Sequence, residues 1–150
     1  MTISKIAEPY GIEVRWNKLE KYFPIKQGSW TANTIFETIA VPACDFRRLC
    51  EDKENPTTDD IVTLFHEIGH IYLGHHTPDS LANNEIFLYR NECEAWGFAI
   101  SKSIEYNISI ENIMSITIDA LKSYGKCIST NVKNIIQERY LKEAKYNYDN

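Results

Sequence analysis

No apolar run in this chain approaches the roughly 20 residues that a bilayer-spanning helix needs, so no membrane span is expected. The four cysteines, at positions 44, 50, 93 and 127, include no CxxC pair, and they do not read as zinc-site cysteines. Positive charge is in deficit: 16 Lys and Arg against 21 Asp and Glu give a net charge of −5. That balance argues against direct nucleic-acid binding, which rests on cations neutralising phosphates. The one local basic pair, Arg47-Arg48, sits beside Asp45 and Glu51 and reads as a solvated face. The opening MTISKIAEPYGIEV lacks a basic start followed by an apolar run, so no secretory signal is expected, and the expected setting is a cytoplasm with reduced thiols. Neither an internal repeat, a low-complexity tract nor a Gly/Ser linker divides the 150 residues, and one domain spanning 1–150 is expected.

The two halves of the chain differ in pattern. Residues 3–9 suit a short helix ended by Pro9 and Gly11, and Ile12 to Trp16 alternates apolar and charged residues as a half-buried strand does. Ser29 to Val41, rich in Thr, Ile, Phe and Trp, supplies one or two further strands before Pro42. Cys44 to Glu54 reads as a short helix or turn leading to a polar loop. Beyond it the period changes. Ile61, Leu64, Phe65, Ile68 and Ile71 recur at helical spacing behind Thr57 and Asp60, which are spaced as a capping-box variant, and Gly74 is the natural stop. Further helices are expected from about Asn83 to Tyr106, Ile110 to Tyr124 and Asn131 to near Tyr146. In the last of these, Val132, Ile135, Ile136 and Tyr140 form a core-covering side. The expected class is α+β: a small N-terminal sheet packed on a mainly helical body.

All four histidines lie in the eleven residues from His66 to His76. His66, Glu67 and His70 spell HExxH inside the first long helix, whereas this composition yields only roughly 0.01 such matches by chance. An i, i+4 pair shares one helix face, so both imidazoles can point at a common ion. Glu67 lies about 100° around the helix, able to reach a water on that ion without ligating it. That is the arrangement in which zinc lowers the water's pKa and the glutamate takes its proton. Spare imidazoles in so apolar a segment would otherwise be costly.

A third ligand has several candidates. His76 stands where the metzincin pattern HExxHxxGxxH has its last histidine, but that pattern needs glycine at position 73, and this chain has Leu73 followed by Gly74. His75 and His76 better suit the carbonyl end of the helix, where cations are favoured. Glu92 and Glu94 lie on the next helix, and Glu92, 22 residues beyond His70, leaves room for a loop and a return. Its neighbour one turn on is Ala95, small enough to let the two helices approach closely. Two histidines and a glutamate suit zinc best, though manganese, cobalt or iron would also accept them.

These motifs resemble those of the ImmA/IrrE family of metallopeptidases, a minimal gluzincin-like group. The stretch Ile6 to Val14 is similar to the family's short helix and "YGI-V" first strand, and Thr38-Ile39-Ala40-Val41-Pro42 to a later strand. Phe65 to His70 resembles its HELGH helix, and Glu92-Cys93-Glu94-Ala95 followed by Phe98-Ala99 its "ExEAxxFA" helix. The chain departs from the family where Ile100 to Ile104 runs on without a proline, and no helix-turn-helix is apparent. The resemblance implies zinc held by His66, His70 and Glu92, with Glu94 as the fallback, and Glu67 as catalytic base. It also implies site-specific cleavage of a protein partner, a transcriptional repressor of a phage or mobile element. An alternative from another class is a catalytically silent zinc-containing protein that sequesters such a regulator. An oxyanion donor is expected in the enzyme, with Tyr89, Arg90, Tyr124 and His75 as candidates.

Overall fold

Thr2 starts the first helix, α1 (Ile3–Ala7), by accepting the Lys5 N–H at 3.4 Å, and the helix buries Ile3 and Ile6. The structure, a computed structural model, describes residues 2–16, 30–42 and 55–142, with Trp16 as backbone only. The helix or turn expected over Cys44 to Glu54, the Arg47-Arg48 pair, Cys44, Cys50 and residues 143–150 lie outside the described residues. A 3₁₀ turn (Glu8–Tyr10) then leads into β1 (Glu13–Trp16).

Two more strands follow, β2 (Thr31–Asn33) and β3 (Thr38–Val41). β3 is the central strand. It pairs parallel to β1, Val14 facing Ile39, and antiparallel to β2, Ala32 facing Ile39. The β2–β3 turn is tied by the Asn33 carboxamide, whose Oδ1 accepts the N–H groups of Ile35 (3.1 Å) and Phe36 (3.0 Å). Alternation along β3 turns Ile39 and Val41 into the core.

The helical body begins with α2 (Thr58–Tyr72). Its capping box is closed in both directions: Asp60 N–H donates to Thr57 Oγ1 at 3.2 Å, and Thr57 N–H donates to Asp60 Oδ2 at 2.7 Å. From Leu64 to Gly69 every residue is buried, because β2, α1 and the later helices all pack against this helix. A helix apolar on nearly every side is a core helix. A 3₁₀ turn (Asp79–Leu81) connects it to α3 (Glu85–Ile104), capped by Asn84. The helices α4 (Ile110–Leu121) and α5 (Thr130–Gln137) are each started by a serine, Ser109 and Ser129. A π-helical turn, Glu138–Lys142, continues α5. The expected class, a small N-terminal sheet and a mainly helical body, is what the described residues form, with three strands in the sheet. No described helix is long and apolar enough to cross a membrane.

The last helix differs from its expected form. It widens into the π turn, and its apolar stripe is narrower than four residues. Ile136 is buried and Val132 and Tyr140 are half-buried, but Ile135 is 68 % exposed. Consecutive residues point about 100° apart, and this helix is covered on one side, so Ile136 turns inward and Ile135 is left facing solvent.

The π turn presses its backbone onto α3 at Gly97, where an added Cβ would lie 2.6 Å from the Tyr140 carbonyl oxygen. Helix propensity alone would make Gly97→Ala stabilising by about 0.5–1 kcal/mol. The collision reverses the sign, and a net loss of about 1–3 kcal/mol is expected as a lower urea midpoint. A midpoint at or above that of the wild type would contradict this packing.

Candidate metal centre

The close approach of α2 and α3 rests on two small residues. A Cβ on Gly69 would lie 3.0 Å from the Ala95 carbonyl oxygen and 3.2 Å from Ala95 Cα. The helices therefore meet nearly backbone to backbone, one turn along α3 from Glu92. At that separation the Glu92 side chain reaches both histidines of α2: its Oε2 lies 3.0 Å from His66 Nε2 and its Oε1 3.4 Å from His70 Nε2. The two Nε2 atoms are 3.2 Å apart. His66, His70 and Glu92 can offer ligand atoms within 4.8 Å of one another, a group that could hold a metal ion.

This donor set fits a divalent cation. Two imidazole nitrogens and a carboxylate converge on one point, and Glu92 Oε2, which faces it, is buried without a hydrogen bond. Inward-facing lone pairs at this spacing repel each other unless a proton or a cation lies between them. The mixture of nitrogen and oxygen donors suits a borderline ion such as zinc, without identifying it.

Glu67 stands beside the cluster and outside it. It is 9 % exposed, its Oε1 lies 4.0 Å from His66 Nε2, and its carboxylate accepts the backbone N–H of Ala32 from β2. Burial, more than any charge, pushes its proton affinity up to about 7, against the opposing pull of His70 and the Ala32 N–H. For Glu92, burial also acts upward, but the imidazoles of His66 and His70 close to its oxygens outweigh it and hold the carboxyl down to about 2. Burial lowers His66, whereas Glu92 and Glu67 overcome the same effect at His70 and raise it. Two carboxylates that both lie within 4.0 Å of His66 Nε2 are thus driven in opposite directions, a pattern concentrated at functional sites.

A cleft of about 490 Å³ opens over these groups, lined also by Trp30, Thr31, Ala32, Asn91 and Tyr124. Of the suggested donors, Tyr124 lines this cleft, and burial, then the charges of Glu92 and Glu67, push its phenol up to about 12. Tyr89 is buried away from it, accepting from Gln137 Nε2 at 2.7 Å, and Arg90 donates to the Tyr140 hydroxyl at 3.3 Å. His76 is exposed, and Glu94 faces His75 rather than the cluster. His75 does not simply cap the helix: its Nδ1 lies 2.9 Å from that of His70.

Two further contacts shape the site. Trp96 stacks on His66 with ring centroids 4.0 Å apart, and its position one turn beyond Glu92 on the same face was a readable signal. The Ala32 N–H on Glu67 had no such signal, because any residue type could supply it.

A single divalent ion should bind the purified protein, and His66→Ala, His70→Ala and Glu92→Gln should each remove it in a zinc titration. His76→Ala should keep the ion; loss in this variant with retention in Glu92→Gln would contradict the grouping. A second expectation concerns the metal-stripped protein. Folded Glu67 keeps its proton to about 7, whereas an ordinary glutamate releases it near 4.5, so folding stability falls as pH rises through that window. Glu67→Gln removes this titration. Measured in chelator, the variant's stability relative to wild type should therefore rise between those pH values, by on the order of 3 kcal/mol at most. A difference independent of pH would contradict the buried carboxyl.

Compared with protein-family models, curated proteins and solved structures, the chain gives no match.

Proposed function

We propose that this chain is a zinc-dependent endopeptidase acting on a specific protein, with His66, His70 and Glu92 holding the metal and Glu67 serving as general base. The observation that carries the reading is a second buried carboxylate, Glu67, beside a three-donor cluster to which it does not belong. Three protein ligands, rather than four, is the number found in catalytic zinc sites, and a purely structural site has no use for an adjacent base.

A bound divalent ion would supply acidification of a water and polarisation of the substrate carbonyl. Glu67, oriented by the Ala32 N–H, takes the water's proton and delivers it to the leaving amine. A proton affinity near neutrality suits a group that must both accept and release a proton. Tyr124, a phenol protonated at neutral pH and pushed further up by burial and the neighbouring carboxylates, offers an O–H to the carbonyl oxygen as charge develops there. The resemblance to the ImmA/IrrE family supports the substrate class, a transcriptional repressor of a phage or mobile element, and a cytoplasmic setting.

The test is incubation of the protein with the regulator encoded beside it, with and without chelator. Cleavage should require metal, and Glu67→Gln should keep the ion while losing about 10²–10⁴-fold in rate. Cleavage by this variant at the wild-type rate would remove Glu67 from the mechanism. Stable binding of the regulator without any cut would favour the sequestering protein instead.

A further inference from the structure

The end of α2 is built so that a third imidazole meets the second. Gly74 adopts φ +68°, the left-handed conformation that glycine enters without strain. The chain doubles back there, with Gly74 N–H donating to the Ile71 carbonyl at 3.1 Å and His75 N–H to the His70 carbonyl at 2.9 Å. These two bonds define a Schellman motif, whose geometry sets the residue after the glycine against the residue five before it. In most such motifs that contact is between apolar side chains. Here it joins His70 and His75, ring centroids 5.1 Å apart and Nδ1 atoms at 2.9 Å. Only 9 % of the His75 side chain is exposed, and its Nε2, which makes no hydrogen bond, has Glu94 Oε1 in ion-pair range at 3.4 Å.

A single proton lies between the two Nδ1 atoms, and its position decides which way both neutral rings are wired. If His70 carries it, His70 Nε2 presents a lone pair toward His66 and Glu92, while His75 Nε2 carries an N–H toward Glu94. If His75 carries it, His70 Nε2 bears hydrogen and cannot ligate, and a bare His75 nitrogen faces the Glu94 oxygen, acceptor against acceptor. Glu94 therefore selects the first arrangement. His66 has no such support, since its Nδ1 lacks a hydrogen bond and its ring is held by stacking on Trp96.

We propose that His75 and Glu94 are positioning residues of the metal centre: the imidazole delivered by the Gly74 turn accepts the His70 Nδ1–H, and Glu94 fixes its tautomer, so that His70 Nε2 is aimed as a ligand. The inference rests on the reading of His66, His70 and Glu92 as a metal site. It assigns a histidine and a glutamate outside the triad, neither of which touches the ion. Outer partners of this kind typically change metal affinity by about 10–100-fold.

The experiment is a Zn²⁺ titration against a chromophoric chelator, with folding of each variant checked by circular dichroism. His75→Ala should weaken Zn²⁺ binding by about 10–100-fold. His75→Asn, whose side-chain oxygen can stand in for the accepting nitrogen, should recover most of the loss, and Glu94→Gln should fall between His75→Ala and wild type. Exposed His76→Ala should match wild type. In ¹⁵N-resolved spectra of the zinc-loaded protein, the His70 Nδ1–H should be protected in wild type and His75→Asn and lost in His75→Ala. Should His75→Ala fail to fold, Glu94→Gln and the asparagine variant carry the test. Wild-type affinity in His75→Ala or in Glu94→Gln, with binding abolished in His70→Ala, would overturn this inference and leave the metal site standing. Undiminished binding in His70→Ala would overturn the metal reading itself.

Discussion

Glu92 reaches both histidines because α2 and α3 meet with almost no side chain between them. A methyl group on Gly69 would press on the Ala95 backbone at 3.0–3.2 Å, and this contact sets the distance across which the carboxylate must act. A larger residue at either position would move the helices apart, and hydrogen-bond-range contacts of 3.0 and 3.4 Å do not survive such a shift. The packing of two small residues is thus a condition for the polar chemistry beside it. Much else in the body serves the same end: the capping box fixes where α2 begins, and the π turn locks α3 from its far side through Gly97.

Burial gives this arrangement its chemical character. Three imidazoles and two carboxylates lie in or against an apolar helix pair, where unpaired polar groups are costly. The protein meets part of the cost by bringing them together, and leaves His66 Nδ1, His75 Nε2 and Glu92 Oε2 without a hydrogen bond. Glu92 spans two rings, Glu67 takes a backbone N–H from the edge of the sheet, and His70 backs onto His75. The outcome is two acids of the same residue type, one held near 2 and the other lifted to about 7. A group that stays charged can bind a cation, and one that titrates near neutrality can carry a proton.

Much of this was readable in the sequence because it is local. The HExxH spacing, the Thr57–Asp60 box and the Gly74 stop depend only on helix geometry, and the described structure contains all three. Ala95 was readable as a point of close approach, although its partner Gly69 was not singled out. Glu92 and Glu94 could not be separated from their residue types alone, since each occupies a helix face; the orientation of α3 against α2 chooses between them. The role of His75 was hidden for another reason. Next to a glycine at a helix end it looks like a cation for the helix dipole, and only the Schellman geometry returns its ring to His70. The Ala32 contact with Glu67 joins residues far apart in sequence through a backbone group, for which residue identity carries no signal.

The central claim is that two imidazoles from one helix and one carboxylate from the next surround a single ion. X-ray absorption of the zinc-loaded protein tests this most directly. The account predicts a first shell of nitrogen and oxygen only, at about 2.0–2.2 Å, with outer scattering from two imidazole rings. A sulfur contribution near 2.3 Å, or a first shell without imidazole, would contradict it.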